Sequence, residues 1–238
     1  MSAPTVSERY AIYWTPDAAG ALAAFGASWL GHDPALGRSV ARLVLPGIDT
    51  REQDAATLSP RRYGLHGTLK PPFALALGAD AAELEARLAR FAAAMASFTV
   101  PALKLADIKG FLALVPSAPC PALHEIADAA VRTFDDLRAP APEAELARRR
   151  KSGLTPRQDG HLVRWGYPYV FEDFAFHLTL TERLDEATRA RFRAVLEPMV
   201  APFCGAPWLF DAVSLLRQDG PAEPFVLVRR FLLSGTGA

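Results

Sequence analysis

Two stretches decide the reading of this chain: Arg62-Tyr63-Gly64-Leu65-His66-Gly67-Thr68-Leu69-Lys70, and Phe174-Ala175-Phe176-His177-Leu178-Thr179-Leu180-Thr181. Each contains the pattern His-x-Thr-apolar once, bounded by β-forming residues. Side chains alternate across a strand, so His66 and Thr68 project together while Gly67 and Leu69 point to a packed face. His177 and Thr179 pair in the same way, with Leu178 and Leu180 behind them. Extended along the first stretch, the alternation predicts Arg62, Gly64, His66, Thr68 and Lys70 on one face: two cations flanking an imidazole and a hydroxyl. On the second it groups Ala175, His177, Thr179 and Thr181. With five histidines and twelve threonines in the chain, chance would produce the pattern about 0.1 times.

Outward from these stretches, the pattern of elements repeats. Residues 9–14 read as an early strand, 17–30 as a helix closed by Gly31, and 32–60 as a long connection punctuated by Pro and Asp. Strand 62–70, stopped by Pro71-Pro72, is followed by an amphipathic helix over 80–98 with Leu84, Leu88, Phe91 and Met95 on one face. A strand pair over 100–105 and 110–115 completes the set. The second half gives a helix over 121–137, strand 174–181, a helix over 186–199, and strands 208–216 and 225–233. The order strand, helix, strand, strand thus occurs twice. It predicts one two-lobed α+β domain over 1–238, with half-repeats at about 1–118 and 119–238 and mostly antiparallel sheets. Residues 139–169 have no counterpart in the first half. Within them Thr155, Pro156 and Gln158 form a helix start with an N-cap, a Pro at the first helical position and a capping Gln. This insertion is a candidate lid or pocket wall.

Composition limits the function. The chain has 238 residues, half of them apolar, and 26 basic against 26 acidic side chains. That excludes wholesale disorder. A zero net charge argues against a surface built to coat nucleic acid, which needs excess cations to displace counterions. Cys120 and Cys204 stand far apart without metal spacing, so neither a disulfide framework nor a zinc site is indicated. Residues 1–10 are polar with no secretory core, and no apolar run approaches a membrane span, so a cytoplasmic protein is expected.

Two imidazoles and two hydroxyls across a cleft suit a phosphodiester. One neutral histidine can take a proton from water, one protonated histidine can give a proton to the leaving oxygen, and hydroxyls and cations can hold the non-bridging oxygens. Which histidine takes which role depends on the substrate pose. A bound metal is not required, and a metallohydrolase ranks last because the motifs lack an acidic or Cys partner at ligand spacing.

The doubled motif resembles the 2H phosphoesterase superfamily, which includes RNA 2′,3′-cyclic phosphodiesterases and 2′,5′ RNA ligase-like proteins. The strings Arg62 to Phe73 and Trp165 to Val170, with Phe176 to Thr181, look closer to a bacterial branch commonly encoded beside phosphonate-degradation genes. The resemblance implies a bilobal fold with two pseudo-symmetric sheets, outer helices and a central cleft. It also implies metal-independent, cofactor-free hydrolysis, with His66 and His177 as the acid/base pair and Thr68 and Thr179 as phosphate clamps. The branch suggests a small substrate such as a ribosyl cyclic phosphate. The alternatives are a 2′,3′-cyclic phosphodiesterase or 2′,5′-ligase-like activity on RNA, and a non-catalytic phosphoester-binding module.

The remaining candidates carry a competing structural reading. Arg62 and Lys70 are expected to bind phosphate, against strand-end cations that reach solvent. Tyr63 alternates to the other face and its role stays open. Tyr167 and Tyr169 could stack on a base or ribose, although aromatic packing is favoured. Thr181 shares the face of His177. Arg148-Arg149-Arg150-Lys151 could meet phosphate, although a solvated helix face near a helix C-terminus is favoured. His32, His124 and His161 receive no role. The expected partner is a small phosphorylated molecule, with no membrane and no long nucleic acid; the oligomeric state is open.

Overall fold

The computed structural model describes residues 8–236. The polar stretch 1–7, read above for a secretory signal, lies outside them.

In chain order the elements are β1 (Arg9–Trp14), α1 (Ala21–Leu30), β2 (His32–Asp33), β3 (Arg38–Ser39), α2 (Thr50–Ala56), α3 (Leu58–Arg61) and β4 (Gly67–Phe73). Then come α4 (Ala81–Ala94), β5 (Phe98–Val100), β6 (Leu103–Ile108), β7 (Phe111–Pro116), α5 (Pro121–Thr133), α6 (Glu143–Arg150) and α7 (Pro156–Trp165). The chain continues with β8 (Leu178–Thr179), α8 (Glu186–Val200), β9 (Trp208–Phe210), β10 (Ala212–Gln218) and β11 (Val226–Leu232). Several boundaries follow from local chemistry. Gly31 and Gly166 end α1 and α7 in the left-handed conformation, which costs glycine little. Thr155 and Gln158 form the reciprocal capping box that starts α7.

The principal sheet has seven strands in the order β11-β10-β1-β4-β8-β7-β6, each pair antiparallel. This gives the α+β, antiparallel architecture expected, with the two anticipated sheets merged into one. Strands of the two sequence halves are exchanged across it. The C-terminal hairpin β10–β11 lies beside N-terminal β1, while β8 lies beside β7 and β6 of the first half. The two sides meet at one residue pair, Gly67 opposite Leu178.

One face carries the helices. Leu84, Leu88 and Phe91 of α4, Leu123, Ile126 and Ala130 of α5, and Phe192 and Leu196 of α8 join Tyr10, Ile12 and Trp14 of β1 in the main core. The alternate residues of β1, Ala11 and Tyr13, pack on the opposite face with Leu216 and Phe225. That opposite face is where the cleft opens.

Three expectations need correction. Residues 32–60 are no bare connection: they hold β2–β3 and the short helices α2 and α3. The segment 62–65 is a turn, in which Gly64 has φ +70°, so the strand begins at Gly67 and runs through Pro71-Pro72 to Phe73. Finally, only Leu178–Thr179 of the span 174–181 is strand.

The face pattern of β4 also changes. Thr68 pairs with Tyr13, yet Lys70 pairs with Ile12, the next residue along β1. Two steps on β4 against one on β1 is a β-bulge, and it reverses the face at Lys70 relative to Thr68. Thr68 therefore points into the cleft, and Lys70 points to the helix side. A second register shift between Ile12 and Tyr10 accommodates Pro71 and Pro72, which have no N–H to give a ladder.

Candidate active site

Antiparallel register around Gly67 and Leu178 brings the two motifs together centre to centre. Carried one residue either way, it sets His66 opposite Thr179 and Thr68 opposite His177. A local two-fold relation thus gathers all four on one face. The neighbours make this close pairing possible. A Cβ at Gly67 would overlap the buried ring of Phe176, so only glycine admits that ring behind the motif.

The two imidazoles are held alike. His66 Nδ1 lies 2.9 Å from the Gly64 carbonyl and His177 Nδ1 lies 2.7 Å from the Ala175 carbonyl, each two residues upstream. A carbonyl only accepts, so Nδ1 is the protonated nitrogen in both neutral rings and Nε2 is left for the cleft. The left-handed backbone at Gly64, packed against Pro34, aims the first carbonyl.

Their surroundings differ. Tyr13 stacks on His66 with centroids 4.0 Å apart and planes 25° apart, and Tyr63 leans on it at 5.6 Å. Among the described residues the aromatic ring against His177 is that of Phe111, tilted at 5.7 Å. Burial holds the His66 pKa down at about 4, against the pull of the Gly64 carbonyl and with a smaller downward push from His177. Burial also lowers His177, opposed by the Ala175 carbonyl.

These groups line a cleft of about 540 Å³ with Thr68 and Thr179. Of the other sequence candidates, Tyr63, Tyr167 and Thr181 also line it. The Thr181 hydroxyl is already committed, accepting from the Leu112 N–H at 2.9 Å and donating to the Glu182 carbonyl at 2.8 Å. Tyr169 lies outside, edge-on to Tyr167 and 37 % exposed. Arg62 is exposed, its guanidinium 3.4 Å from the Pro221 carbonyl, because the 62–65 turn carries it off the strand face. Lys70 is 1 % exposed, bonded to the Val131 carbonyl at 3.1 Å and 3.8 Å from Asp135. Neither cation shares the histidine face.

The cations of the cleft come from elsewhere. Arg148 and Arg149 line it from the end of α6, a helix with no buried residue, so this solvated helix end also borders the cleft. Arg149 bonds Glu145 at 2.8 Å and lies over the Tyr167 ring at 5.1 Å, while Arg148 is 68 % exposed at the mouth. Arg9 and Tyr13 of β1, with Ser59, Glu182 and Arg183, were not anticipated. The alternation Arg9, Ala11, Tyr13 along β1 held the signal, but only the pairing of β1 with β4 shows which face meets the histidines. His161 lies between Glu172 and Asp173, at 3.7 and 3.6 Å. His32 bonds the Phe225 carbonyl, and His124 sits edge-on to Phe174.

Fold and site together define an antiparallel α+β protein with a two-histidine, arginine-rimmed cleft. Residues 68–226 match the family described as "Protein of unknown function (DUF1045)", and the chain belongs to that family. It is 37 % identical over 233 residues to a Janthinobacterium sp. (strain Marseille) protein named ribose 1,5-bisphosphate phosphokinase PhnN, covering 96 % of this chain and 51 % of that protein. A Laribacter hongkongensis (strain HLHK9) protein of the same name is 40 % identical over 178 residues, covering 75 % of this chain and 41 % of that protein. The chain therefore spans about half the length, or less, of these curated relatives. Among solved structures, it is similar to E. coli LigT complexed with 3′-AMP, with TM-score 0.42, 17 % identity, and 96 % and 99 % of the two chains covered. Similarity to TT0787 of Thermus thermophilus has TM-score 0.41 and 16 % identity, covering 73 % and 80 %. Among the described residues, no helix is long and apolar enough to cross a membrane.

Proposed function

We propose that this protein is a metal-independent phosphodiesterase that opens a small cyclic phosphate ester, with a ribosyl cyclic phosphate as the substrate class. The observation that carries this reading is the matched pair of imidazoles, each with Nδ1 tied to a carbonyl, lining one cleft together with two threonines. Water attacks phosphorus as one Nε2 takes its proton. The bond from phosphorus to a ring oxygen breaks, and the other Nε2–H gives that oxygen its proton. Thr68 and Thr179 hold the non-bridging oxygens, and the cleft arginines offset their charge. One water is consumed and a phosphate monoester is formed. An anionic substrate stabilises the imidazolium that serves as acid.

The name of the curated relatives supports a ribosyl phosphate as substrate. It also raises a second reading, phosphoryl transfer from a nucleotide. This chain has no Gly-x4-Gly-Lys-Ser/Thr stretch to cradle a triphosphate, and it matches only part of those proteins. Hydrolysis suits the histidine pair better.

The test is turnover in excess chelator of 2′,3′-cyclic nucleotides and a ribosyl 1,2-cyclic phosphate, followed by ³¹P NMR. Conversion to a monoester supports the proposal. His66→Ala and His177→Ala are each expected to lose about two to four decades of rate. Failure to open any cyclic ester, or activity only with added ATP, overturns it.

A further inference from the structure

The two histidines have the same sequence context and the same Nδ1 tether, so nothing in the motif itself distinguishes proton acceptor from proton donor. The difference lies in the rings packed against them. Two tyrosine rings pack against His66. Tyr13 is fully buried on β1 and lies stacked on it at 4.0 Å and 25°, and Tyr63 in the preceding turn packs tilted against it at 5.6 Å and 40°. Tyr63 is itself stacked on Phe225 at 5.2 Å, and Tyr13 packs against the same phenyl at 6.3 Å. Phe225 thus braces both tyrosines that pack on His66. Among the described residues, His177 has a single tilted phenyl, that of Phe111, as its ring neighbour.

We infer that Tyr13 and Tyr63 are positioning residues that make His66 the proton acceptor and leave His177 as the donor. This rests on the proposed hydrolase chemistry. A ring held by this aromatic clamp loses water where the tyrosines cover it, and an imidazolium is stabilised by hydration far more than an imidazole is. The clamp also holds Nε2 in one direction, since the ring cannot rotate without displacing Tyr13. The register of Tyr13 opposite Thr68 places this ring beside the motif.

The other charged groups that face His66 line the cleft it shares with His177. Arg9 projects from the same face of β1 as Tyr13, bonded to Gln218 at 2.9 Å. Glu182 and Arg183 follow His177 and Thr179 along the chain, and Arg148, Arg149 and Tyr167 close the cleft from the insertion. His177 itself disfavours a second positive charge at His66. None of these is stacked on one imidazole alone.

The experiment is an NMR titration of both imidazoles in the wild type, Tyr13→Phe, Tyr13→Leu and Tyr63→Leu, with a pH–rate profile on the same samples. Tyr13→Phe keeps a stacked ring and should leave His66 unchanged. Tyr13→Leu and Tyr63→Leu should each raise the His66 pKa by about a unit or more, leave His177 within a few tenths, and move the acid limb of kcat/KM upward with His66. Because Tyr13 is a core residue, Tyr63→Leu carries the test if Tyr13→Leu does not fold. An unmoved His66 in folded Tyr63→Leu, or equal movement of His177, overturns the inference. The titration reads the clamp without any substrate. A shifted His66 in a protein that opens no cyclic ester would refute the hydrolase reading, and with it the acceptor role.

Discussion

Gly67 and the ring of Phe176 occupy adjoining space so tightly that any side chain at residue 67 would penetrate the ring. Gly67 is also the residue through which β4 meets Leu178. Gly67→Ala is therefore expected to destabilise the protein by about 1–3 kcal/mol and to lower activity beyond the loss of folded protein. Chemical denaturation followed by assay of the folded fraction checks both. A variant of wild-type stability and rate would show that the ring moves aside freely.

Lys70 is a buried cation whose pKa burial lowers to about 8, with Asp135 pulling it back up. Asp135 keeps Arg138 and Arg164, both at 3.0 Å, if Lys70 is lost. Replacing it by an apolar chain of similar length removes a desolvation cost. Lys70→Met is expected to be as stable as the wild type or more so at pH 7, with KM unchanged. Between pH 8 and 10.5 the unfolded lysine binds more protons than the folded one, so the wild type gains stability relative to this variant as pH rises. Thermal melts across that range, with one KM measurement, test the assignment. A large rise in KM would restore Lys70 to the phosphate site.

Arg148 and Arg149 reach the cleft from α6, away from the reacting face. Removing either should weaken substrate binding more than chemistry. Arg148→Ala and Arg149→Ala are each expected to raise KM about three- to tenfold with kcat changed less, and the effect should shrink as salt is added. Steady-state kinetics at two ionic strengths decide this. A KM equal to that of the wild type in both variants would return these arginines to the solvated helix face.

The histidine pKa values set the pH dependence. A neutral His66 and a protonated His177 are needed, so kcat/KM should fall below about pH 4 and fall again above a pKa that lies under 6.5. Stability follows the same group. The folded His66 pKa lies below the unfolded value, so its contribution is fully present above pH 6.5 and is lost as pH falls toward 4, at most about 3 kcal/mol. His66→Gln should show less acid destabilisation over that window. A flat kcat/KM from pH 4 to 8 would contradict the scheme.

Features set by short-range chemistry were legible. The capping box of Thr155 and Gln158, the terminal Gly31, and the apolar stripe Leu84, Leu88, Phe91 are all decided within one or two turns. The pairing of His66 with Thr68 was legible too, because it needs only one step of alternation. Lys70 was misread one step further on, since the bulge that turns it away is imposed by β1 and leaves no mark in β4 itself. Arg62 failed for a local reason, the left-handed Gly64 that ends regular alternation before the strand begins. Arg9, Tyr13, Arg148 and Arg149 could not be placed without knowing which elements become neighbours.

The exchange of strands across the sheet has a consequence for the order in which the molecule is built. β1 pairs with β10, so Arg9 meets Gln218 across 209 positions of chain, and Tyr13 is packed by Phe225. Closing contacts of such separation is slow, and little of the cleft wall around His66 can settle before the C-terminal hairpin docks. During synthesis β1 must wait with one edge open until β10 has been made. The histidine pair is thus among the last features assembled, and a chain cut short before β10 would leave β1 an unpaired strand edge open to association instead of a partial enzyme.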